Sequence, residues 1–449
     1  MNKRISVLLV LVFVLTALAL PTLAQDDPWA DVDPSGQDVV FWYRVTGSRE
    51  EALQELIAEF NATNEWGITV EGVTQGGYTE LADKMMGTVG TEDQPNVIIA
   101  YQNNMLDYYT LDGLAILDEL VASPTWGMSE ADVEDYFPSF FHHDVFPGIG
   151  RLGMAPQRSM AVMWYNVDWL AELYANDLID FEGLPVTPDQ FEAAMCAAAE
   201  NPYSGATGDV ELNAGYGFRF DASQLASWAF TFGDDLFDYE NNVYTFDSEG
   251  AIAGMQFVSD LFANGCAKDF VGYDDQASFG QGTLMAAGSS TSGLGFWVEA
   301  VEAGYAGNYV VGAYPYPGEN PAMNVYGASV SVGAGEPEVV LASWLFVKFL
   351  TSTETSAAWT RASGYFPVRD SSTAMLEDYF EDNPAIATAF ELLPYGKFEP
   401  PVAGYDSVRR LISDEYLIRI VEGEDVATVM TELNEEANEI LVDAMEAME

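Results

Sequence analysis

The two histidines are the first residues whose chemistry can be tested against the sequence. His142 and His143 are adjacent, and the 449 residues contain no other histidine. Adjacent residues of a helix or strand point in different directions, and no further ligand type follows at metal spacing. No serine lies in a Gly-x-Ser-x-Gly turn, so a serine hydrolase is not indicated. We therefore predict neither a metal site nor a catalytic triad.

A glycine-rich stretch, Gly148 to Gly153, has the letter pattern of a dinucleotide-binding turn. That motif needs a strand before it and a helix after it, because the N-terminus of the helix holds the pyrophosphate. No clear strand precedes the stretch, and Pro156 follows where the helix would have to run. We interpret the stretch as a turn and predict no cofactor.

Adjacent carboxylates could supply the acid and the base of a glycosidase, as in Asp234-Asp235 and Asp274-Asp275. With 71 acidic residues, however, such pairs are expected by chance. A secreted glycoside hydrolase stays an alternative hypothesis.

Aromatic residues make up 13% of the chain, and several lie at predicted strand ends. Their rings could stack on a sugar face or pack inside a core.

The charge balance excludes several classes of partner. The chain has 71 acidic against 16 basic residues, a net charge of −55. Nucleic acid binding needs clustered lysine and arginine, so it is excluded, and anionic membranes are disfavoured for the same reason. Because the apolar fraction is 49%, we expect a folded core under an acidic surface.

The N-terminus has the pattern of a secretory leader. Lys3 and Arg4 precede an apolar run over 5–20, and small residues before Gln25 offer a cleavage site, which predicts a signal peptide over 1–24. We expect an exported protein, periplasmic or extracellular, that is soluble after cleavage.

In an oxidising compartment the two cysteines, Cys196 and Cys266, are expected to form a disulfide, with two separate thiols as the alternative.

The elements that must position a site are clearest near the start. Buried strands are predicted over 38–43, 68–73 and 96–101, with helices between them, the first opened by a capping box of Ser48 and Glu51. Alternating strands and helices indicate a parallel, doubly wound α/β sheet. Ligands of such sheets lie beyond the carboxyl ends of the strands, here at 43–44, 75–78 and 101–103. A further buried strand is predicted over 160–165.

The order of these elements resembles the extracellular solute-binding proteins of ABC importers, the group with maltose- and glycerol-phosphate-binding proteins. The resemblance covers nearly all of the mature chain. It is carried by Val-Phe-Trp-Tyr at 40–43, Tyr78 after Gly-Gly, Met-Trp-Tyr-Asn-Val-Asp at 163–168, Phe-Gly-Gln-Gly at 279–282 with Gly-Ser at 288–289, the stretch 327–337, and Gly-Tyr-Phe-Pro-Val at 364–368.

The resemblance implies a periplasmic-binding-protein type II fold, with two α/β lobes, each a mostly parallel sheet flanked by helices, joined by a hinge. Lobe one would hold 25–157 and 328–363, and lobe two 158–327 and 364–449. The chain would cross near Arg158, Gly327 and Gly364. The protein would be a monomer without catalytic activity that delivers its solute to the transmembrane subunits of a permease.

The resemblance also implies a set of cleft residues. Those expected to face the solute are Tyr43, Arg44, Tyr78, Gln102, Arg158, Trp228, Ser289, Ser290, Tyr326, Tyr365 and Arg409. Rings with serine and amide groups favour a neutral carbohydrate or polyol. The alternative is a phosphorylated polyol, such as glycerol 3-phosphate or a diester, which needs an arginine in the cleft. Residues 404–417 look most like the glycerol-phosphate branch, but Pro400 and Pro401 stand where that branch has basic and glycine residues.

Overall fold

The structure is a computed structural model that describes residues 27–447, so the predicted signal peptide lies outside the described residues. Within that range, no helix combines the length and the hydropathy that crossing a bilayer requires. The strands are β1 (Asp38–Tyr43), β2 (Thr69–Thr74), β3 (Val97–Ala100), β4 (Val145–Phe146), β5 (Gly150–Arg151), β6 (Ser159–Asn166), β7 (Ala214–Phe218), β8 (Phe237–Asp238), β9 (Val243–Tyr244), β10 (Ala267–Asp269), β11 (Leu284–Ser290), β12 (Tyr309–Gly312), β13 (Met323–Tyr326), β14 (Ser329–Val332) and β15 (Gly396–Lys397).

Helices surround these strands. They are α1 (Ser48–Thr63), α2 (Tyr78–Thr88), α3 (Gln102–Thr110), α4 (Asp118–Ala122), α5 (Glu130–Glu134), α6 (Pro138–His142), α7 (Val167–Ala175), α8 (Pro188–Glu200), α9 (Ala222–Thr231), α10 (Glu249–Ala263), α11 (Asp274–Gly280), α12 (Leu294–Ala303), α13 (Pro337–Leu350), α14 (Thr353–Ser363), α15 (Asp370–Ala374), α16 (Glu377–Asp382), α17 (Pro384–Glu391), α18 (Tyr405–Leu411), α19 (Leu417–Val421) and α20 (Val426–Glu446).

The first sheet has four strands in the order β14-β3-β1-β2. β1 pairs in parallel with β2 and β3, as the alternation of strands and helices predicts, and β14 returns antiparallel to β3. The predicted capping box of α1 is wrong. The helix is preceded by Gly47, and Ser48 is already its first residue, without a side-chain cap. We call this sheet with α1, α2 and α3 lobe one.

The second sheet has the order β10-β7-β11-β6-β13-β15, and β12 also pairs with β6. All eight residues of β6 are buried, as expected for a strand with both faces covered. β6 runs antiparallel to β11, β12 and β13, so this sheet is mixed rather than mostly parallel. The reason is that β6 starts at the edge where the chain arrives from lobe one. We call this sheet with α7–α12 and α18–α20 lobe two.

Three chain segments join the two sheets. Residues before β6 form backbone bridges from Met154 to Val330 and from Arg158 to Phe366. β13 and β14 belong to different sheets, and Gly327 between them has a φ of 149°, which a residue with a side chain rarely adopts. Gly364 ends α14 in the left-handed conformation. These positions coincide with the expected crossings, while the exact lobe boundaries stay a prediction.

A disulfide joins Cys196 of α8 to Cys266, which precedes β10. It closes a loop with a sequence separation of 70 residues inside lobe two. In the chain-entropy account, restricting the unfolded chain by a loop of this length stabilises the fold by about 4 kcal/mol.

Replacing both cysteines, Cys196→Ser with Cys266→Ser, is therefore expected to lower the free energy of unfolding by up to about 4 kcal/mol. Urea denaturation of the oxidised wild type, the reduced wild type and the double variant measures this. Reduced wild type and double variant should coincide. Equal stability of oxidised and reduced wild type would contradict the prediction.

Candidate functional site

A cavity of about 530 Å³ lies between the two lobes. Lobe one contributes side chains that follow β1 and β3 or begin helices, because parallel strands end at the same edge of a sheet. Arg44 follows β1, Tyr78 begins α2, and Gln102 begins α3. The rings of Tyr78 and Tyr101 lie 4.7 Å apart, and the Arg44 guanidinium lies 4.8 Å from the centre of the Tyr78 ring.

Three helices of lobe one begin at this wall, and none of them has a side-chain cap. Their N-cap residues are Gly47, Gly77 and Tyr101, and each lies beside residues that line the cavity. Backbone N–H groups of a first helical turn have no partner within their own helix. This wall therefore presents hydrogen-bond donors and the positive ends of helix dipoles.

Lobe two supplies short polar side chains. Ser289 and Ser290 end β11, and Gln224 lies on α9. Arg219, just after β7, donates from Nε to Asp275 at 2.7 Å and reaches Ser289 Oγ at 3.4 Å. The Arg219 charge is therefore balanced by a carboxylate held behind it.

Arg409 on α18 also faces the cavity, but a carboxylate balances its charge as well. Glu399 accepts hydrogen bonds from Arg409, from Ser223 Oγ at 2.6 Å and from the Tyr405 hydroxyl at 2.9 Å. Burial raises the pKa of Glu399 and Arg409 lowers it, and the net result is a lowered pKa. Glu399 is thus an ionised partner of Arg409 rather than a proton donor.

The structure brings eight of the eleven predicted site residues to the cavity and leaves three outside it. Those on the cavity wall are Arg44, Tyr78, Gln102, Ser289, Ser290, Tyr326, Tyr365 and Arg409. Their part in ligand binding stays a prediction.

The structure places three residues that were expected at the cleft in the interior instead: Tyr43, Arg158 and Trp228.

Tyr43 points the other way because side chains of a strand alternate. It is the last residue of β1 and faces the core of lobe one, where its hydroxyl donates to Glu50 and accepts from Gln54 at 2.6 Å. Its neighbour Arg44 faces the cavity instead.

Trp228 lies on the core side of α9. Its indole N–H donates to the Tyr216 hydroxyl at 3.1 Å, and its ring packs edge-on against Tyr314 at 5.2 Å. Its aromatic segment is therefore a core element of lobe two rather than a stacking surface for a solute.

Arg158 is fully buried at the crossing between the lobes. It pairs with Asp144 at 3.4 Å and donates to Ser329 Oγ at 3.0 Å. The cavity residue Gln102 donates to the same two groups, at 2.7 Å to Asp144 and 3.2 Å to Ser329. Arg158 is thus a hinge residue, and Gln102 connects that hinge to the cavity wall.

Five charged residues on the cavity wall were missed, Arg49, Arg219, Asp221, Glu399 and Asp406. Arg49 could have been found because it follows Arg44 by five residues in a chain with only 16 basic residues.

Of the two histidines, His143 lines the cavity. Burial together with Arg158 lowers the pKa of His143 to about 3, so its ring is neutral. Residues 27–447 contain no group of three or more potential metal ligands.

At the rim of the cavity α3 meets α18. Burial raises the pKa of Asp107 to about 6, although the backbone N–H of Gly404 favours its charged form. Close by, Arg410 of α18 bonds to Asp83 of α2 at 3.3 Å. These contacts join α2 and α3 of lobe one to α18 of lobe two along one edge.

Comparison with known proteins supplies the family. A sequence model described as bacterial extracellular solute-binding protein matches residues 55–388. The sn-glycerol-3-phosphate-binding periplasmic protein UgpB of Rhizobium meliloti is 23% identical over 440 residues, which cover 91% of this chain and 94% of that protein.

Two solved structures show the same fold. UgpB from Mycobacterium tuberculosis, in complex with glycerophosphocholine, has a TM-score of 0.74 at 23% identity, covering 92% of this chain and all of that one (100%). The sugar-binding protein MalE from Xanthomonas citri has a TM-score of 0.75 at 19% identity, covering 91% and 98%. The predicted two-lobed type II fold is confirmed.

Removing one partner of the buried hinge pair should be costly, because the other charge then lies unpaired in the interior. We expect Asp144→Ala to lower the free energy of unfolding by about 3–5 kcal/mol, and Asp144→Asn, which keeps an acceptor, to cost less. Urea denaturation measures both. Asp378→Ala breaks an exposed pair with Arg361 and serves as the control, with little change expected. Equal effects of Asp144→Ala and Asp378→Ala would contradict this.

Asp107 should make stability depend on pH. Its folded-state pKa of about 6 lies above the ordinary value of 3.8, so its charged form destabilises the fold as pH rises through 6. Asp107→Asn keeps an acceptor for Gly404 and removes that cost. We expect it to raise the free energy of unfolding by up to about 3 kcal/mol at pH 8 and by much less at pH 4. An identical gain at both pH values, measured by urea denaturation, would refute the assignment.

Proposed function

Because the chain belongs to the bacterial extracellular solute-binding protein family, we propose that it is the solute-binding component of an ABC importer. It captures a small hydroxylated solute, a carbohydrate or polyol, between its two lobes and delivers it to the transmembrane subunits of a permease. The observation that carries this is the cavity of about 530 Å³ lined from both lobes. Its volume lies within the range of about 300–1,000 Å³ found for small-molecule sites.

The lining suits a hydroxylated solute. The rings of Tyr78, Tyr101 and Tyr365 provide flat apolar faces, and the serine and amide groups opposite provide donors and acceptors.

A second candidate for the solute is a phosphorylated polyol. It is favoured by the four arginines on the wall, Arg44, Arg49, Arg219 and Arg409. The similar proteins carry names from both classes, a glycerol-3-phosphate-binding protein and a sugar-binding protein.

A hydrolase is less well supported. Asp235 pairs with Lys397 at 3.0 Å, Asp275 pairs with Arg219, and Glu399 pairs with Arg409. A glycosidase needs one carboxyl group that stays protonated near neutral pH in contact with substrate. The carboxylates around this cavity are instead held by arginines. Consistent with the family, we expect export, a monomer and no catalysis.

Mass spectrometry of small molecules released from the natively purified protein, followed by calorimetry, tests the proposal. A solute at 100 times its Kd should stabilise the protein by about 2.7 kcal/mol. Tyr78→Ala removes a ring of the wall and should weaken binding by about tenfold. Tyr174→Ala, at an exposed position of α7, is the matched control and should bind as the wild type does.

If no carbohydrate, polyol or phosphorylated polyol stabilises the protein, the proposed function is wrong. Chemical conversion of the added solute during the calorimetric experiment would favour the hydrolase instead.

A further inference from the structure

Two of the cavity arginines differ from nearly all others in how their charge is balanced. Residues 27–447 contain ten arginines, and seven of them form ion pairs with carboxylates. Of the remaining three, Arg151 is buried and donates to the Phe141 carbonyl at 2.6 Å. The other two are Arg44 and Arg49, and both line the cavity. In so acidic a protein, an arginine without a carboxylate partner needs an explanation.

Arg44 lies among aromatic rings rather than acids. Its guanidinium stands over the Tyr78 ring, and its Nε atom is buried without a hydrogen-bond partner in the described chain. The titratable groups that act most strongly on it are tyrosine hydroxyls rather than carboxylates, with Tyr78 and Tyr365 foremost. A buried donor of a charged group that lacks an acceptor is costly, and an anion bound there would supply the acceptor.

Arg49 reaches the same space from the first turn of α1. It donates to the Ser292 carbonyl on the opposite wall, and its guanidinium lies 5.1 Å from the Phe296 ring and 5.9 Å from the Tyr365 ring. A guanidinium has five N–H donors, so most of its donors stay available for a ligand. Burial lowers the pKa of Arg49, as expected for a charge without a carboxylate partner.

The other two cavity arginines have their charge neutralised. Arg219 is paired with Asp275 at 2.6 Å, and Arg409 is paired with Glu399 and, at 3.5 Å, with Asp221. Uncompensated positive charge is therefore confined to the lobe-one wall, where the uncapped ends of α1 and α2 add to it.

We propose that Arg44 and Arg49 form an anion-binding subsite, and that the solute carries an acidic group, a phosphate or a carboxylate, which they bind. This rests on the proposed function and narrows it to acidic sugars or phosphorylated polyols. The guanidinium fork matches both oxyanions, which can accept two parallel hydrogen bonds. The hydroxyl groups of the solute then face Ser289, Ser290 and Gln224 on the other wall.

Calorimetry with matched ligand pairs tests the subsite on the full-length mature protein. The pairs are glycerol with glycerol 3-phosphate, glucose with glucose 6-phosphate, and glucose with glucuronic acid. The acidic member of at least one pair should bind about tenfold more tightly or better, and its Kd should rise with salt. The phosphate and carboxylate pairs distinguish the two possible groups.

Substitutions identify the residues responsible. Arg44→Gln and Arg49→Gln should each weaken binding of the acidic ligand by about tenfold, and the double variant by more, while binding of the neutral partner changes by less than about threefold. Arg361→Gln, at an exposed ion pair with Asp378 and not on the cavity wall, is the matched control. Thermal unfolding of each variant verifies that it is folded.

Each result bears on the proposal. Equal affinity for neutral and acidic partners, or equal loss of both in the arginine variants, would overturn the subsite and leave the proposed function standing. Loss of acidic-ligand binding in Arg409→Gln but not in the double variant would move the anion to the other wall and also overturn it. If no member of any pair binds, the subsite and the proposed function fail together.

Discussion

The buried polar cluster at the crossing between the lobes is the constraint on which the rest of this structure depends. Arg158 and Asp144 are both inaccessible to solvent, Ser329 accepts a hydrogen bond from Arg158, and Gln102 donates to Asp144 and Ser329. A buried ion pair need not add net stability, because desolvation offsets much of the attraction. It does fix geometry, since neither charge tolerates separation from the other. Here it fixes the start of β6 against the start of β14, and so one sheet against the other.

That arrangement explains where the cavity lies. β1 and β3 end at the cleft, and β11 ends there from the other side, whereas β6 begins there. The edge at which the chain crosses is therefore also the edge at which strand ends and helix N-termini meet. Gln102 belongs to both features, because it lines the cavity and donates to Asp144. A solute that contacts Gln102 would therefore lie next to the ion pair of Arg158 and Asp144, which fixes the relative position of the two lobes.

The sequence allowed most of the fold to be predicted, and about three-quarters of the chosen cavity residues lie where expected. Long periodic segments such as α20 and the fully buried β6 were found because burial on one face or both leaves a clear pattern. The errors have local physical causes. At the end of β1 the alternation of side chains decides between Tyr43 and Arg44, and a shift of one residue exchanges core for cavity. Trp228 was misplaced because an aromatic ring suits a core as well as a sugar face.

The remaining errors concern charge, which depends on contacts between residues that are not neighbours in the sequence. Whether Arg158, Arg409 or Arg44 carries available charge is decided by the carboxylates that fold against them. Asp144 lies 14 residues from Arg158, and Glu399 lies 10 residues from Arg409, whereas Asp275 lies 56 residues from Arg219. The periodicity of the sequence does not reveal such pairings.

In a chain with net charge −55, there are enough carboxylates to neutralise most arginines. The arginines that have no carboxylate partner are therefore the ones that indicate a site. At Arg44 and Arg49 the surrounding groups are rings, hydroxyls and a carbonyl, which can enclose a cation without cancelling its charge. The acidic surface and the two unpaired cavity arginines thus act in opposite directions on an anionic solute. The surface repels it at long range where salt does not screen, and the enclosed arginines, desolvated and close, attract it strongly at short range.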